Sequence, residues 1–496
     1  MDWNYQNLYE FFLQGGRSSL LRDGKWGLEK ESQRITPRGE LALTDHPAVF
    51  GNQTENPFIT KDFSESQLEL ITPPFTEIKD THAFLVKLQA TVMAGIGTEL
   101  LWPLSMPPRL PDDSRIPIAK FPDSDENREQ EIYRQGLALR YGKKIQMISG
   151  IHYNFSLGSE LLEVLYRSFS RGQELQEFIN DRYFALTRNF LRYRWLLIYL
   201  FGASPSIDAT YYSVIRQELQ MIEACCPEYC SLIEQYQQYA TSLRVSRFGY
   251  ANPEQGKNNA FFNNLAAYIH NIRNLLSTKS HTYADLGICQ DGVRVQLNEH
   301  ILQKESEFYA PIRLKQTTRR GETQLEALAD RGVQYVEVRT LDLNPFEPVG
   351  IGLQQLYFLQ VFMLFCLFET SPLIPDEEGD LINKNHHAVA LFGRNEHLQL
   401  RRYGAGQIRL TKWGEDIFHK LQRIAELLDR GRQNPVYQES VKNEALKLVD
   451  LTLLPSTRIE MEMKQRQESL LDFGVRYAGQ YKVMERMMHD GNVHRV

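Results

Sequence analysis

Hydrophobic and polar residues alternate along four short stretches of the chain, which is the pattern of β-strands with one buried face. The stretches are residues 25–35, 66–72, 145–157 and 334–342. In the first, Trp26 and Leu28 share the face that we expect to lie in a hydrophobic core. The opposite face carries Glu29, Glu31 and Gln33, so two carboxylates stand about 7 Å apart on one strand.

Helical periodicity is found between and after these stretches. The helical segments are residues 80–101, 159–200, 258–276, 351–370, 412–430, 437–450 and the charged stretch 455–490. Strands scattered among helices favour an α/β fold of the α+β type, with a mostly antiparallel sheet surrounded by many helices. We expect one large domain over residues 1–496. Its helical portion from about residue 400 either packs on the rest or forms a small appendage.

Residues 102–130 are the most loop-like region, with six prolines. Proline lacks a backbone N–H and fixes φ, which excludes a helix interior or a central strand here. A long loop inside a compact domain is typical of a functional lid or wall, which is the role we predict.

The polar faces of the four strands carry chemically reactive side chains. They supply Glu29, Glu31, Glu69, His152 and Glu337, with Asp62 just before the second strand and Gln146 and Asn154 on the face of His152. Clustered carboxylates beside an imidazole suit Mg²⁺ or Mn²⁺ rather than zinc. The alternative is a half-solvated sheet whose polar residues meet water. The pattern favours the metal site, because solvent-facing strands usually carry Thr, Lys and Ser.

Arg339 follows Glu337 at the spacing that places both side chains on one face of a strand. A guanidinium among metal-bound carboxylates suits a phosphate-bearing ligand, because it can bind the oxyanion through two parallel hydrogen bonds. Metal ions and an arginine around phosphate are typical of phosphoryl transfer. The sequence has neither a P-loop motif nor the protein-kinase motifs, so a nucleotide would be held in another way.

Composition and charge narrow the classes of function. The chain has 496 residues, 42% hydrophobic and 24% charged, as in ordinary globular proteins. A net charge of −6 and the lack of a long Lys/Arg block argue against nucleic-acid binding. The N-terminal stretch does not have a signal-peptide pattern, and the longest apolar runs are too short to span a membrane. We expect a cytoplasmic protein with no membrane partner.

Three of the five cysteines, Cys225, Cys226 and Cys230, crowd into one short stretch, whereas Cys289 and Cys366 stand alone. The cluster could ligate a metal, but no fourth ligand lies at the spacing of zinc fingers. Structural or incidental thiols are the favoured interpretation.

Several stretches of the sequence resemble the bacterial glutamate–cysteine ligase family, of the kind found in proteobacteria. Among them are GLEKESQRI, ITKDFSESQLELITP, IYRQGLALRYG, SGIHYNFSL, TSLRVSRFGY, ESEFYAPIR and QYVEVRTLDLNPFEP, which keep the family order between about residues 25 and 350. The resemblance is weakest over residues 208–236 and beyond about residue 400. It implies a glutamine-synthetase-like fold, in which the concave face of a curved, largely antiparallel sheet holds metals and phosphates.

The resemblance implies an ATP-dependent ligase. ATP would phosphorylate the side-chain carboxylate of L-glutamate, and the amine of L-cysteine would attack the γ-glutamyl phosphate. The products would be γ-glutamylcysteine, ADP and phosphate, the first step toward glutathione. Two alternatives stay open: a related carboxylate–amine ligase with a different acceptor amine, and a non-catalytic regulator that binds metal or nucleotide. Nothing in the sequence demands more than a monomer acting on small molecules.

The resemblance also implies roles for individual residues. The metal ligands would be Glu29, Glu31, Asp62, Glu69, His152 and Glu337. Arg339 would act with Glu337 in catalysis by contacting the transferred phosphoryl group, and Arg244 would contact a substrate carboxylate. The cysteine pocket would consist of Phe63, Tyr133, Tyr250 and Tyr309, with Gln146 and Asn154 close by. Aromatic rings suit a small thiol, because sulfur–aromatic contacts are favourable.

Overall fold

The alternating stretches belong to one antiparallel sheet. The computed structural model describes residues 2–52, 56–216, 238–250, 252–255 and 262–493. Its strands are β1 (Gly24–Ile35), β2 (Ile59–Lys61), β3 (Gln67–Ile71), β4 (Leu100–Leu101), β5 (Ile151–Leu157), β6 (Cys289–Gln290), β7 (Val293–Arg294), β8 (Ile312–Lys315), β9 (Tyr335–Leu341), β10 (Gln399–Arg402) and β11 (Gly406–Arg409). The main sheet has the order β2-β3-β1-β5-β9-β8, with β4 on the far end of β1. The predicted α+β fold with an antiparallel sheet is confirmed.

The register of this sheet brings the polar positions of different strands side by side. Glu31 on β1 stands opposite Glu69 on β3, and Glu29 stands opposite His152 on β5. On the other side of β5, Asn154 stands opposite Glu337 of β9. Residues that are distant in sequence therefore share one face of the sheet.

The other face of the sheet is the hydrophobic core. Trp26 and Leu28 are 3% and 1% exposed, as predicted, and Tyr153, Val336 and Val338 are fully buried beside them. Two helices, residues 78–95 and 175–201, pack against the central strands of this face. Because one face is sealed by helices, the polar face is the one available to a ligand.

Helices make up most of the remaining described structure. Those with both ends in the described residues are α1 (Tyr5–Leu13), α2 (Ile78–Gly95), α3 (Asp125–Tyr141), α4 (Lys143–Gln146), α5 (Ser159–Phe169), α6 (Leu175–Phe201), α7 (Leu265–Ser277), α8 (His281–Leu286), α9 (Gln324–Arg331), α10 (Leu353–Phe368), α11 (Asp376–Phe392), α12 (Leu410–Asp429), α13 (Val436–Leu446), α14 (Pro455–Arg466) and α15 (Leu470–Val493). None of the helices in these described ranges is long and apolar enough to cross a bilayer.

Several of the predicted element boundaries are wrong, and three of them show why. The strand predicted from residue 145 begins at Ile151, because residues 143–146 form the single turn α4, and a short apolar run fits either structure. The helix predicted over 159–200 is interrupted at Gly172, whose φ of +86° is left-handed, so that α5 and α6 are separate. Helix α3 begins inside the predicted loop, where the Ser124 side chain caps it by accepting a hydrogen bond from the Asn127 N–H.

The C-terminal helices contact the core of the preceding residues. Helices α12 and α13 pack against α10, and the Tyr199 hydroxyl of α6 donates a hydrogen bond to the carbonyl of Lys447 at 2.8 Å. The Tyr5 hydroxyl of α1 donates in the same way to the carbonyl of Lys420 at 2.7 Å. The division of the chain into domains stays a prediction.

The cysteines divide between described and undescribed parts of the chain. Cys225, Cys226 and Cys230 lie outside the described residues. Cys366 is buried in α10, Cys289 is exposed in β6, and both are free thiols.

Candidate active site

Four carboxylates and an imidazole gather where β3, β1 and β5 lie side by side; we call Glu29, Glu31, Asp62, Glu69 and His152 the acidic cluster. Ligand atoms of Glu29, Glu69 and His152 lie within 4.8 Å of one another. Glu29 Oε2 is 3.0 Å from His152 Nδ1, and its Oε1 accepts a hydrogen bond of 2.9 Å from Asn154 Nδ2. The hydrogen bonds hold Glu29 in one orientation.

Gly150 connects the acidic cluster to a neighbouring loop. Its backbone N–H donates a hydrogen bond of 2.8 Å to Glu31 Oε2, whose other oxygen lies 3.6 Å from His152 Nε2. A Cβ atom at residue 150 would lie 1.9 Å from the Arg244 guanidinium. Only glycine therefore lets Arg244 approach this edge of the acidic cluster.

Hydrogen bonds from protein cations do not neutralise all the negative charge of the acidic cluster. Burial, together with the charges of Glu29, Asp62 and Glu31, raises the pKa of Glu69 well above its usual value. Burial also raises the pKa of Glu31. Glu29 differs, because the hydrogen bonds from His152 and Asn154 outweigh burial and lower its pKa.

The same observations test whether the residues fit a divalent cation. Three ligand atoms converge from neighbouring strands, two of them carboxylate oxygens and one an imidazole nitrogen. Among the described side chains, Glu69 receives a hydrogen bond only from the Thr60 hydroxyl, at 3.2 Å. Oxygen-rich sites with excess negative charge suit Mg²⁺ or Mn²⁺. The acidic cluster therefore fits the hard metal ion predicted from the sequence.

Glu337, one strand further along the sheet, is surrounded by cations; we call Arg313, Lys315 and Arg339 the basic cluster. Glu337 Oε1 accepts a hydrogen bond of 2.7 Å from Arg339 Nη1, and Oε2 lies 3.2 Å from Lys315 Nζ. Arg313 Nη1 lies 4.0 Å from Oε1. Burial raises the pKa of Glu337, but the charges of the basic cluster outweigh it and hold the pKa well below its usual value.

Two members of the basic cluster, Arg313 and Lys315, are functional candidates that the sequence reading missed. They alternate with the buried Ile312 and Leu314 along β8, whose four residues are IRLK. This alternation could have identified Arg313 and Lys315, but a stretch of four residues is too short to predict a strand from its pattern.

Arg244 lies between the acidic cluster and β9. Its Nη2 donates a hydrogen bond of 3.0 Å to the carbonyl oxygen of Arg339, and its Nη1 lies 3.7 Å from Asp342 Oδ1. The Nη1 atom is buried and has no hydrogen-bond partner among the described residues. Arg244 therefore retains a donor that a carboxylate ligand could accept from.

Three of the predicted pocket residues form an aromatic group near the basic cluster. The rings of Tyr250 and Tyr309 meet edge to face with centroids 5.4 Å apart, and Tyr141 packs in the same manner on Tyr250 at 5.8 Å. Ionisation of Tyr133 would raise the pKa of Tyr250, so these two side chains are neighbours. Arg313 of the basic cluster donates a hydrogen bond of 2.9 Å from its Nε to the carbonyl oxygen of Phe308, the residue before Tyr309. The tyrosines thus lie beside the basic cluster.

The remaining predicted pocket residues occupy different surroundings. Phe63 is 2% exposed and lies in a small hydrophobic cluster on which Tyr133 and Tyr141 pack, so it supports the tyrosines from behind. Gln146 ends α4 with its Nε2 atom buried and without a partner among the described residues. Asn154 binds Glu29 and belongs with the acidic cluster.

A buried ion pair supports the aromatic group, and the sequence reading missed it. Arg140 Nη2 lies 2.8 Å from Glu307 Oε1, and neither side chain is exposed to solvent. The Tyr141 hydroxyl donates a hydrogen bond of 2.9 Å to the same oxygen. Since the two residues come from α3 and the turn before β8, no local pattern could have paired them.

Comparisons with known proteins find relatives over most of the chain. A sequence model of the family described as glutamate–cysteine ligase matches residues 10–389. A glutamate–cysteine ligase of Clostridium acetobutylicum is 51% identical over 479 residues, which are 96% of this chain and 100% of the relative. The enzyme of the same name from Pseudomonas aeruginosa (strain PAO1) is 42% identical over 464 residues, which are 93% of this chain and 86% of the relative.

Two solved structures share the fold over almost the whole chain. A glutamate–cysteine ligase of Francisella tularensis in complex with AMP has a TM-score of 0.82 at 32% identity, with 94% of this chain and 89% of that one aligned. A bifunctional glutathione synthetase of Pasteurella multocida has a TM-score of 0.75 at 31% identity, with 97% of this chain and 55% of that one aligned.

Proposed function

The chain belongs to the glutamate–cysteine ligase family, and we propose that its polar sheet face is where L-glutamate and L-cysteine are joined. The enzyme uses ATP to form γ-glutamylcysteine, ADP and phosphate, the first step of glutathione synthesis. The γ-phosphoryl group of ATP passes to the side-chain carboxylate of glutamate. The amine of cysteine then forms the amide bond as phosphate leaves.

The observation that carries this assignment is that the acidic cluster and the basic cluster lie next to each other on one face of the sheet. Asn154 binds Glu29 of the acidic cluster and stands opposite Glu337, which the basic cluster surrounds. ATP and glutamate both carry negative charge, and phosphoryl transfer between them needs those charges neutralised and the reactants aligned.

Mg²⁺, with Mn²⁺ as a possible substitute, is the proposed cofactor of the acidic cluster. The residues that would hold it are Glu29, Glu31, Asp62, Glu69, His152 and, toward the basic cluster, Glu337. When bound, such ions neutralise phosphate oxygens and polarise the transferred phosphoryl group.

The basic cluster and Arg244 handle the anionic parts of the substrates. Arg339 is held by Glu337 at 2.7 Å, and its Nε has no hydrogen-bond partner among the described residues, so oxygens of the phosphoryl group would accept from its remaining donors. The Nη1 of Arg244, which has no hydrogen-bond partner among the described residues, would bind a carboxylate of glutamate. Both cations act without a covalent enzyme intermediate, because positioning and charge neutralisation lower the barrier.

The aromatic group is the proposed pocket for cysteine. Tyr133, Tyr250 and Tyr309 would surround the acceptor, with Phe63 behind them and Gln146 at the edge. Ring faces and edges offer favourable contacts to a sulfur atom and limit the volume of the side chain that fits. We further propose that the enzyme is monomeric and cytoplasmic.

The test is ADP release by the purified protein, measured with a coupled assay. We expect release that requires Mg²⁺, glutamate and cysteine together and that is lost in Glu337→Gln. A panel of other amino acids and amines in place of cysteine tests acceptor choice, and efficient use of another amine would favour a ligase with a different acceptor. ADP release that is equally fast without any amine would contradict the proposed reaction.

A further inference from the structure

Arg244 is carried by a tight turn, residues 243–249, which we call the arginine turn. The Ser246 hydroxyl donates a hydrogen bond of 2.7 Å to the carbonyl oxygen of Leu243. A Cβ atom at Gly249 would lie 1.6 Å from the carbonyl oxygen of Arg244, so only glycine lets the two ends of the turn approach so closely. Because the turn is closed on itself, a displacement of its backbone is passed on to Arg244.

Helix α11 holds the chain on both sides of Arg244. Before the arginine turn, the backbone N–H of Thr241 donates a hydrogen bond of 2.9 Å to the carbonyl oxygen of Ala390. One helical turn earlier on α11, the buried His386 places its Nε2 atom 2.6 Å from the carbonyl oxygen of Val245, the residue after Arg244. His386 is therefore the side chain of α11 that holds the arginine turn itself.

Arg194 of α6 fixes the tautomer of His386. Its Nε donates to His386 Nδ1 at 2.7 Å, and its Nη2 donates to Asn383 Oδ1 at 2.7 Å. Arginine can only donate, so His386 Nδ1 accepts and the ring proton lies on Nε2, facing the carbonyl oxygen of Val245. Burial and the charge of Arg194 lower the pKa of His386 well below its usual value, so the ring is neutral at neutral pH.

We propose that His386 is a positioning residue for glutamate, because its hydrogen bond to Val245 sets where Arg244 meets the substrate carboxylate. Arg244 Nη2 donates to the carbonyl oxygen of Arg339 at 3.0 Å, and its Nη1 has no hydrogen-bond partner among the described residues. A hydrogen bond weakens steeply when its atoms are misaligned, so a displaced arginine turn would bind glutamate less tightly. The inference rests on the proposed function, because it takes glutamate as the ligand of Arg244.

His82 on α2 is a matched control. Its Nε2 atom also lies against a backbone carbonyl oxygen, that of Ile351, at 3.1 Å, and burial lowers its pKa as well. The contact belongs to the packing of α2 on α10, on the face of the sheet opposite the acidic cluster. Replacing His82 therefore removes the same type of hydrogen bond without touching the arginine turn.

The experiment measures kcat and the KM values for glutamate, cysteine and ATP, each at saturating concentrations of the other two substrates and Mg²⁺. We expect the KM for glutamate to rise about tenfold or more in His386→Leu, since much of one charge-assisted hydrogen bond is lost. The KM values for cysteine and ATP should stay within about twofold of wild type, because their proposed binding residues are not held by His386. His82→Leu should leave all three KM values unchanged.

A double variant tests whether His386 acts through Arg244. Arg244→Met should itself raise the KM for glutamate, because the donor to the carboxylate is removed. In that background His386→Leu should raise the KM for glutamate no further, because two residues that act through one contact do not have additive effects. Additive increases would overturn the proposal, since they would mean that His386 affects glutamate binding by another route.

The outcomes separate the inference from the proposed function. An unchanged KM for glutamate in His386→Leu, or an equal rise for all three substrates, would overturn the role of His386 while the ligase reaction stands. A wild-type enzyme that releases no ADP with glutamate and cysteine would contradict the proposed function instead. If His386→Leu does not fold because Arg194 loses its acceptor, His386→Asn keeps an acceptor for Arg194 but is too short to reach the carbonyl of Val245. An unchanged KM for glutamate in that variant would equally refute the proposal.

Discussion

The acidic and basic clusters lie on one sheet face, yet they treat the same functional group in opposite ways. In the acidic cluster the pKa of Glu69 lies well above its usual value, because burial and the surrounding carboxylates both disfavour its charged form. At the basic cluster the pKa of Glu337 lies well below its usual value, because Lys315, Arg339 and Arg313 offset its burial. Both glutamates are on strands and largely buried.

The difference identifies where the protein supplies its own counter-charge and where it depends on a ligand. Glu337 already has its counter-charges within the protein, and it holds Arg339 by a hydrogen bond. Glu69 would gain a matching charge from a cation bound beside it. The acidic cluster therefore suits the proposed metal ion, and the basic cluster suits the phosphoryl group of the proposed reaction.

The largest expected effect comes from removing charge in the acidic cluster. Glu69→Gln should lower kcat by a factor on the order of 10³, because a metal ligand is lost from the site. Steady-state ADP release measures this, and Mn²⁺ titration followed by EPR should show weaker binding. The exposed Glu160→Gln is the control, and retention of both activity and Mn²⁺ affinity in Glu69→Gln would exclude the residue as a ligand.

The next effect concerns the cation that Glu337 holds. Arg339→Met should lower kcat about 10²- to 10³-fold, since one charged donor to the developing phosphoryl charge is removed. The KM for cysteine should stay nearly constant, because the acceptor pocket is not altered. Arg128→Met, at the exposed start of α3, serves as control. A rise in KM without a fall in kcat would show that Arg339 binds substrate rather than stabilising the transition state.

A smaller effect tests whether the basic cluster acts as a unit. Lys315→Met removes the charge that lies 3.2 Å from Glu337 Oε2 but leaves Arg339 in place. We expect kcat to fall about tenfold, with the exposed Lys25→Met as control. Equal losses in Lys315→Met and Arg339→Met would mean that the lysine contacts the phosphoryl group itself.

The smallest effect is a difference in the pH dependence of stability. Because the folded state raises the pKa of Glu69, its protonated form favours folding, and that contribution is lost as pH rises from the unfolded value through the folded one. Glu337 has the opposite sign, and its contribution is lost as pH falls through its lowered pKa. In EDTA, the melting temperature of wild-type protein should therefore fall relative to that of Glu69→Gln, by about 2–4 °C between pH 5 and pH 8.

Mg²⁺ gives a second measurement of the same effect. Added metal should remove most of the wild-type decline with rising pH, because the bound cation favours the ionised carboxylate. Parallel melting curves for the two proteins in EDTA would show that Glu69 does not carry the unbalanced charge.

The sequence predicted the acidic cluster well because its residues lie on strands with clear alternation. Glu29 and Glu31 belong to the 12-residue strand β1, and period-two spacing correctly assigned Trp26 and Leu28 to the core. The polar faces of β3, β5 and β9 were recognised for the same reason. Alternation does not show which strands are adjacent in the sheet. The register observed in the structure shows this.

The features that were not predicted depend on short elements or on distant partners. Gln146 was assigned to a strand, but it closes a one-turn helix, because the alternation of Ile145, Gln146 and Met147 is too short to separate a strand from a helical turn. Strand β8 has only four residues, so Arg313 and Lys315 were missed. Arg194 and His386 are separated by 192 positions in the chain, and only the packing of α6 on α11 brings them together.

The single hydrogen atom that serves as the side chain of Gly150 has a practical consequence for engineering. Any side chain at this position would displace the guanidinium of Arg244 and loosen the backbone donor to Glu31 in one step. A library aimed at reshaping the proposed glutamate subsite should therefore hold residue 150 constant.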